Sequence, residues 1–294
     1  MSRRSWVLFL VPVLIWSTTF YAITLQLGSV TTPTYAVALR FGVAGVLLFA
    51  WLLIRGELRA LSAKTHAWTA LSGICAYGIS YVLTYVAEES IPSGLVAIAY
   101  TLMVFLTPAL ARLAYGTAIT RQTWLGGSLG VLGVALCFLP DVLSVNISSA
   151  FFWGMGAMMV AALVSSIGAV CSIRLNQLDV PVTSYTAWAM LYGAVATFAY
   201  GIATRQPFHL DERPLFWVAF GYLTVAGTLL TFLCYLNLLK HEGSARAMYV
   251  SVLAPVGAVF VSIVLEGLRP QALTWLGMVV ALGGAWFTLR SERS

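Results

Sequence analysis

Tyr77, Ser80, Tyr81, Thr84 and Glu88 follow one another at i, i+3, i+4, i+7 and i+11, so a helix through this stretch carries all five on one face. Two phenols and two hydroxyls on this stripe can hold a solute by ring contact and hydrogen bonds, and a carboxyl closes it. The positions 151 later hold Thr228, Thr231, Phe232 and Tyr235, again polar or aromatic. A shorter stripe, Ser17, Tyr21 and Thr24, is echoed by Ser165 and Ser172, and Tyr100 is paired with Ser251. A lone hydroxyl in an apolar helix commonly bonds its own backbone. The weight therefore rests on two copies agreeing about the same face, and that agreement points to a lined cavity.

Arg40, within Tyr35-Ala-Val-Ala-Leu-Arg40-Phe41, is the one charge well inside an apolar segment. A charge at mid-membrane costs about 2.5–3.5 kcal/mol on insertion scales. Counted from Pro33 at 1.5 Å per residue, Arg40 lies roughly 10 Å from the helix end. It is either a structural, backbone-bonded arginine or a contact for a substrate carboxylate or gate ion pair. Glu88, Glu89, Glu242 and Glu266 all fall near helix ends. A proton-coupled carrier usually has an acid along its route, so facilitated movement down a gradient is expected, with Glu88 the candidate if protons are coupled.

Other chemistry is poorly provided for. His66, His209 and His241 fall at helix ends or in loops, Cys75, Cys137, Cys171 and Cys234 are far apart, and no paired acids occur. There is no phosphate-binding glycine loop for ATP. The expectation is a protein that is not an enzyme and has no metal, no cofactor and no nucleic-acid partner.

The elements that position these residues follow from composition. Of 294 residues, 60% are hydrophobic and 9% charged, with a mean hydropathy of +0.91, against about 25% charged in a soluble domain. Uncharged runs long enough to cross ~30 Å of hydrocarbon give ten expected membrane helices near 6–27, 33–54, 66–87, 91–114, 122–139, 150–174, 182–203, 215–239, 246–265 and 272–290, with a loop over 142–149. Barrels are excluded, since their strands alternate over about ten positions. The run after Arg3 and Arg4 is too long for a signal core and is read as retained. Placing the N-terminus inside leaves only Arg205, Arg213 and Arg269 outside, with Arg40 in the membrane and every other Lys and Arg cytoplasmic. Positive-inside charge bias then sets both termini in the cytoplasm.

Thr-Trp-Leu-Gly occurs at Thr123–Gly126 and again at Thr274–Gly277. The same offset of 151 pairs Ser93 with Ser244, Gly116 with Gly267 and Gly133 with Gly284, and an offset of 148 pairs Ser17 with Ser165, Pro33 with Pro181 and Gly45 with Gly193. The chain divides into five-helix halves, 1–140 and 141–294. Five is odd, so the second half enters from the opposite face and the repeats are inverted, an arrangement used for alternating access around a midplane site. Gly126, Gly130 and Gly133, with Gly277, Ala281 and Gly284, read as small-residue packing faces. Pro108 and Pro255 interrupt the fourth and ninth helices and read as hinges.

Trp16-Ser17, Arg40-Phe41, Ser93-Gly94-Leu95, and Pro255 followed by Glu266-Gly267 and Trp275-Leu-Gly277 resemble the drug/metabolite transporter superfamily in its ten-helix EamA branch. Tyr115 stands where the first repeat of that family often has an acid matching Glu266. The resemblance implies a multi-pass carrier of the bacterial inner membrane, similar to exporters of amino acids and related metabolites, the YddG-type aromatic amino-acid exporters among them. The expected substrates are small neutral solutes, foremost amino acids with apolar or aromatic side chains. Trp16, Tyr77, Tyr81, Tyr100 and Tyr235 would form the apolar surface, Ser17, Ser80, Ser165 and Ser251 would hydrogen-bond, and Arg40 would meet a carboxylate. The partners expected are these solutes and the lipid bilayer, with a monomer favoured over oligomers through the glycine faces. A proton-coupled multidrug carrier for aromatic cations is the alternative.

Overall fold

The computed structural model describes residues 3–116, 118, 121–143, 149–242 and 249–291. Ser244, Arg246 and Arg293 lie outside these residues, as do most of the loop expected over 142–149 and the side chain of Ser251. The described chain folds into helical rods: α1 (Arg3–Thr24), α2 (Pro33–Ile54), α3 (Ala63–Glu88), α4 (Ser93–Tyr115), α5 (Arg121–Leu143), α6 (Ser149–Gln177), α7 (Val182–Ala203), α8 (the consecutive segments Pro214–Gly221, Tyr222–Leu230 and Thr231–Glu242), α9 (Tyr249–Leu265) and α10 (Ala272–Ser291). Seven of them, α1 to α4 and α6 to α8, are long and apolar enough to cross a membrane. The apolar stretches of α5, α9 and α10 are shorter: Trp124–Pro140, Val252–Leu265 and Ala272–Phe287.

Local chemistry explains the boundaries. Pro33 and Pro214 open α2 and α8, where a missing N–H costs nothing. Ser62 caps α3 by accepting from the Thr65 backbone N–H. Gly116 and Gly267, partners in the sequence repeat, follow α4 and α9 with φ of 69° and 72°, a left-handed backbone that a side chain would strain. The other positive-φ residues of the described chain also occur at matching helix ends: Gly28 and Asp179 after α1 and α6, Gly56 and Arg205 after α2 and α7.

The packing has the same duplicate character. α2 lies on α7, α4 on α9 and α5 on α10; α1 meets α8 and α9, while α6 meets α3 and α4. One apolar core joins α4, α5, α6, α9 and α10 around Ile98, Phe138, Met158 and Met278. A second joins α1, α2, α7 and α8 around Ile23, Phe41, Met190 and Phe216. Much of the remaining apolar surface faces outward, with Ile54 86%, Leu113 83% and Trp153 78% exposed. An apolar exterior on this scale marks a surface that meets something other than water; with the hydropathy of the helices, that is the lipid-facing exterior of a multi-pass membrane protein.

In lipid, helices are held by close packing rather than by burial from water. The α5–α10 pair shows how. A methyl added at Gly277 would run into the Cys137 backbone nitrogen and the Gly133 carbonyl oxygen; one at Gly284 would strike Gly126 and Gly130, and one at Gly133 would strike Ala281. The packing faces read from the sequence are thus a backbone-to-backbone seam. Gly277→Leu is expected to destabilise the protein by about 1–3 kcal/mol through overpacking, seen as a lowered melting temperature in detergent. Val279→Leu, at a position 68% exposed on the same helix, should change stability by less than about 0.5 kcal/mol; equal losses in the two variants would refute the seam.

Candidate functional site

α3 and α8 each depart from α-helical winding. Ile74–Ile79 in α3 and Tyr222–Leu230 in α8 are π-helical, and the two segments overlap at the 151-residue offset. Wider turns of this kind release carbonyls from the i−4 ladder and recur at functional sites. Thr228 and Thr231 use their hydroxyls on the carbonyls five residues back, Leu223 at 2.9 Å and Ala226 at 2.6 Å. Small residues allow neighbours close here: Gly73 and Gly78 press against Ala189, Gly193 and Thr197 of α7, and Gly227 against Thr19 of α1.

The π segments and the turns after them present the stripe expected from the sequence. Tyr77 stands 5.3 Å from Phe41 and 6.0 Å from Phe232 between ring centroids, and Tyr81 stands 4.6 Å from Phe41. Trp16 meets Phe232 at 6.0 Å and Tyr235 at 5.6 Å. A continuous aromatic chain therefore runs from Tyr235 through Trp16, Phe232, Tyr77 and Phe41 to Tyr81, with rings from α1, α2, α3 and α8. Arg40 ends it. Only 2% exposed, its guanidinium lies 5.1 Å from the Phe41 ring and 5.0 Å from the Tyr81 ring, and Nε donates to Thr228 Oγ1 at 3.4 Å. Its Nη1 is buried without a hydrogen-bond partner among the described residues.

Tyr100 joins a separate polar group. Its hydroxyl is 3.0 Å from Ser80 Oγ and 2.7 Å from Thr84 Oγ1, and its ring packs 5.9 Å from Phe20. A 3₁₀ turn, Tyr100–Leu102, places it there, just ahead of Pro108 in α4. Ser17 is engaged otherwise: its hydroxyl lies 2.6 Å from the Val13 carbonyl and 3.0 Å from that of Ala254, at the α1–α9 contact beside Gly257 and next to Pro255. Ser165 is half-buried on α6. The structure thus brings together Trp16, Arg40, Tyr77, Tyr81 and Tyr235, sets Ser80 with Tyr100, and ties Ser17 to α9. Phe41, Phe232 and Thr228 complete the cluster; Phe232 and Thr228 were legible only as repeat counterparts of Tyr81 and Tyr77.

At the bundle end beyond Arg40, further polar groups are tied down. Tyr85 donates to Gln26 Oε1 at 2.7 Å, and Gln26 Nε2 reaches the Phe216 carbonyl at 3.5 Å. The Glu266 carboxylate accepts from the Ser93 backbone N–H at 3.2 Å, from its hydroxyl at 2.8 Å and from Ser262 Oγ, tying the end of α9 to the start of α4. The α1–α2 and α7–α8 loops are pinned to each other: Thr31 donates to the His209 carbonyl at 2.8 Å and accepts from Asp211 N at 2.9 Å. The Asp211 carboxylate takes the Arg213 backbone N–H at 2.7 Å and its Nε at 3.0 Å.

Known proteins share this plan. The profile of the EamA-like transporter family matches residues 4–139 and again 152–290. The uncharacterized inner membrane transporter YedA of Escherichia coli (strain K12) is 27% identical over 269 residues, 91% of this chain and 84% of that protein. The S-adenosylmethionine/S-adenosylhomocysteine transporter of Chlamydia muridarum is 22% identical over 280 residues, 90% of this chain and 86% of that one. One solved crystal structure aligns over 100% of both chains with a TM-score of 0.67 at 17% identity, a likeness of fold. The family and the two named relatives are transporters rather than enzymes.

The loop clamp carries a pH signature. The Arg213 side chain and backbone N–H hold the Asp211 carboxyl below the ordinary carboxylate range. A depressed folded-state value means the clamp stabilises fully above the unfolded value of about 3.9 and is lost as pH falls through the lower folded value. Asp211→Asn is expected to lower the melting temperature at neutral pH and to shrink the gap from wild type progressively below about pH 4, measured by thermal unfolding across a pH series. A gap independent of pH would show that the carboxylate does not carry the clamp.

Proposed function

The chain belongs to the EamA-like transporter family, and from that premise we propose that it is a secondary transporter of the bacterial inner membrane that exports small neutral metabolites, foremost aromatic and other apolar amino acids. In this reading all ten helices span the bilayer. Residues 1–140 and 141–294 form two halves mounted in opposite directions, with both termini in the cytoplasm. Rocking of the halves about a central site, with Pro108 and Pro255 as hinges, exposes that site to one side at a time. The matched positive-φ turns and the matched π segments support a duplicated unit, and the inner-membrane relative in Escherichia coli supports the location.

The observation that carries the solute class is Arg40 at the end of its aromatic chain. A buried guanidinium with Nη1 unpartnered is matched by a carboxylate, which it can meet with paired N–H donors. The rings of Tyr77, Tyr81, Trp16 and Tyr235 offer faces and edges to an apolar or aromatic side chain. Ser80 of α3 and Tyr100 of α4 add hydroxyls, 3.0 Å from each other. A solute that joins a carboxylate to an apolar body fits both halves of this surface. The relative from Chlamydia muridarum is named for amino-acid derivatives, in keeping with that head group. An aromatic cation fits less well, because Arg40 already covers the rings of Phe41 and Tyr81 and would repel it.

Purified protein reconstituted into liposomes should give saturable flux of labelled phenylalanine, tryptophan or leucine. Arg40→Lys, which keeps the charge but loses the planar fork of donors, should cut that flux at least about tenfold, a loss of about 1.4 kcal/mol. Uptake of cationic dyes with no amino acid moving would replace this reading by a drug carrier.

A further inference from the structure

Glu88 falls at the last residue of α3, where an acid would ordinarily reach water. Instead it is only 6% exposed. Both carboxylate oxygens are buried and neither has a hydrogen-bond partner among the described residues. Glu266, the nearby acid, is in the opposite condition, with its carboxylate held by Ser93 N, Ser93 Oγ and Ser262 Oγ. Donors of that number stabilise an ionised carboxylate, whereas a buried carboxylate with none is far costlier than its neutral acid. The burial of both Glu88 oxygens without a donor therefore favours its neutral acid in this conformation.

The titratable and charged groups that interact with Glu88 are Arg40 from α2, Tyr85 from its own helix, Tyr100 from α4 and Glu266 at the end of α9. Arg40 is the sole cation of that set. It too has an unpartnered buried nitrogen, and no ion pair joins it to Glu88 among the described residues. Two buried groups of opposite potential charge, each with unpartnered polar atoms and within electrostatic reach yet not ion-paired, describe one protonation state of a two-state device. With Glu88 protonated, Arg40 is left to a substrate carboxylate. With Glu88 ionised, its charge is compensated by Arg40.

We propose that Glu88 binds and releases one proton in each transport cycle, with Arg40 as its counter-charge, so that solute movement is coupled to proton movement. The step is a simple acid dissociation: the Glu88 O–H bond breaks, the proton passes to water on the side to which the site is open, and the guanidinium stays charged throughout. The coupling to solute rests on the carrier function proposed above; the proton site itself does not. It also revises the expectation of facilitated movement, which counted Glu88 as a helix-end acid.

Infrared difference spectra of the reconstituted full-length protein between neutral buffer, where exposed carboxyls are already ionised, and alkaline buffer test the site without any solute. A protonated-carboxyl band is expected in wild type, kept in Glu266→Gln, shifted in Glu88→Asp and missing in Glu88→Gln. Labelled phenylalanine in proteoliposomes tests the coupling: an imposed pH gradient should accelerate wild-type flux several-fold and leave Glu88→Gln unaffected, while Glu88→Gln retains gradient-free counterflow and Glu88→Asp retains coupling. A carboxyl band that survives in Glu88→Gln, or wild-type flux indifferent to the gradient, overturns the proposal. If phenylalanine is not carried by any variant, the function proposed above fails instead, and the infrared titration alone decides whether Glu88 is a proton site.

Discussion

Inside a bilayer, backbone polar groups must be satisfied within the protein and apolar side chains gain nothing by leaving lipid for one another. What remains to hold helices together is close contact, and this chain obtains it with residues that lack side-chain bulk. The α5–α10 seam, where a single methyl at Gly133, Gly277 or Gly284 would collide with the opposing helix, is the fullest instance. The same device recurs where Gly73 and Gly78 meet α7 and where Gly94 meets α9. Close backbone approach sets the distances between helices, and these in turn decide which side chains share a space.

The π segments of α3 and α8 sit beside such approaches, with Gly73 and Gly78 against α7 and Gly227 against α1. They lie in corresponding parts of the two halves and bracket the residues that meet Arg40. The hydroxyls of Thr228 and Thr231 take up the carbonyls five residues back, so the irregular winding carries little penalty in unmet hydrogen bonds. The candidate site is thus built on closely packed helices that change winding beside the polar stripe and at Tyr100–Leu102.

Polar groups in this interior are of two kinds. Most are satisfied locally: Ser17 by two carbonyls, Tyr100 by Ser80 and Thr84, Glu266 by the start of α4. A few are not, and two of them, Arg40 and Glu88, are ionisable. An unmet buried charge is costly, and the proposed carrier function and proton site both start from these two groups.

How much of this was legible beforehand depends on whether the property is periodic. Apolar runs, the Thr-Trp-Leu-Gly repeat, the small-residue faces and the stripe from Tyr77 to Glu88 are patterns along one chain, because helix period and membrane thickness turn spacing directly into facing. Charge and hydropathy likewise marked Arg40 as a lone interior cation. Which partners each residue meets could not be read this way. Ser17 looks like any other stripe hydroxyl until α9 brings the Ala254 carbonyl to it; nothing in the sequence near residues 74–79 or 222–230 announces π winding; and Glu88, counted at a helix end, is nonetheless buried there. Contacts between residues of different helices are decided by packing in three dimensions, and only the tertiary structure shows which polar groups it satisfies and which it leaves to a ligand or a proton.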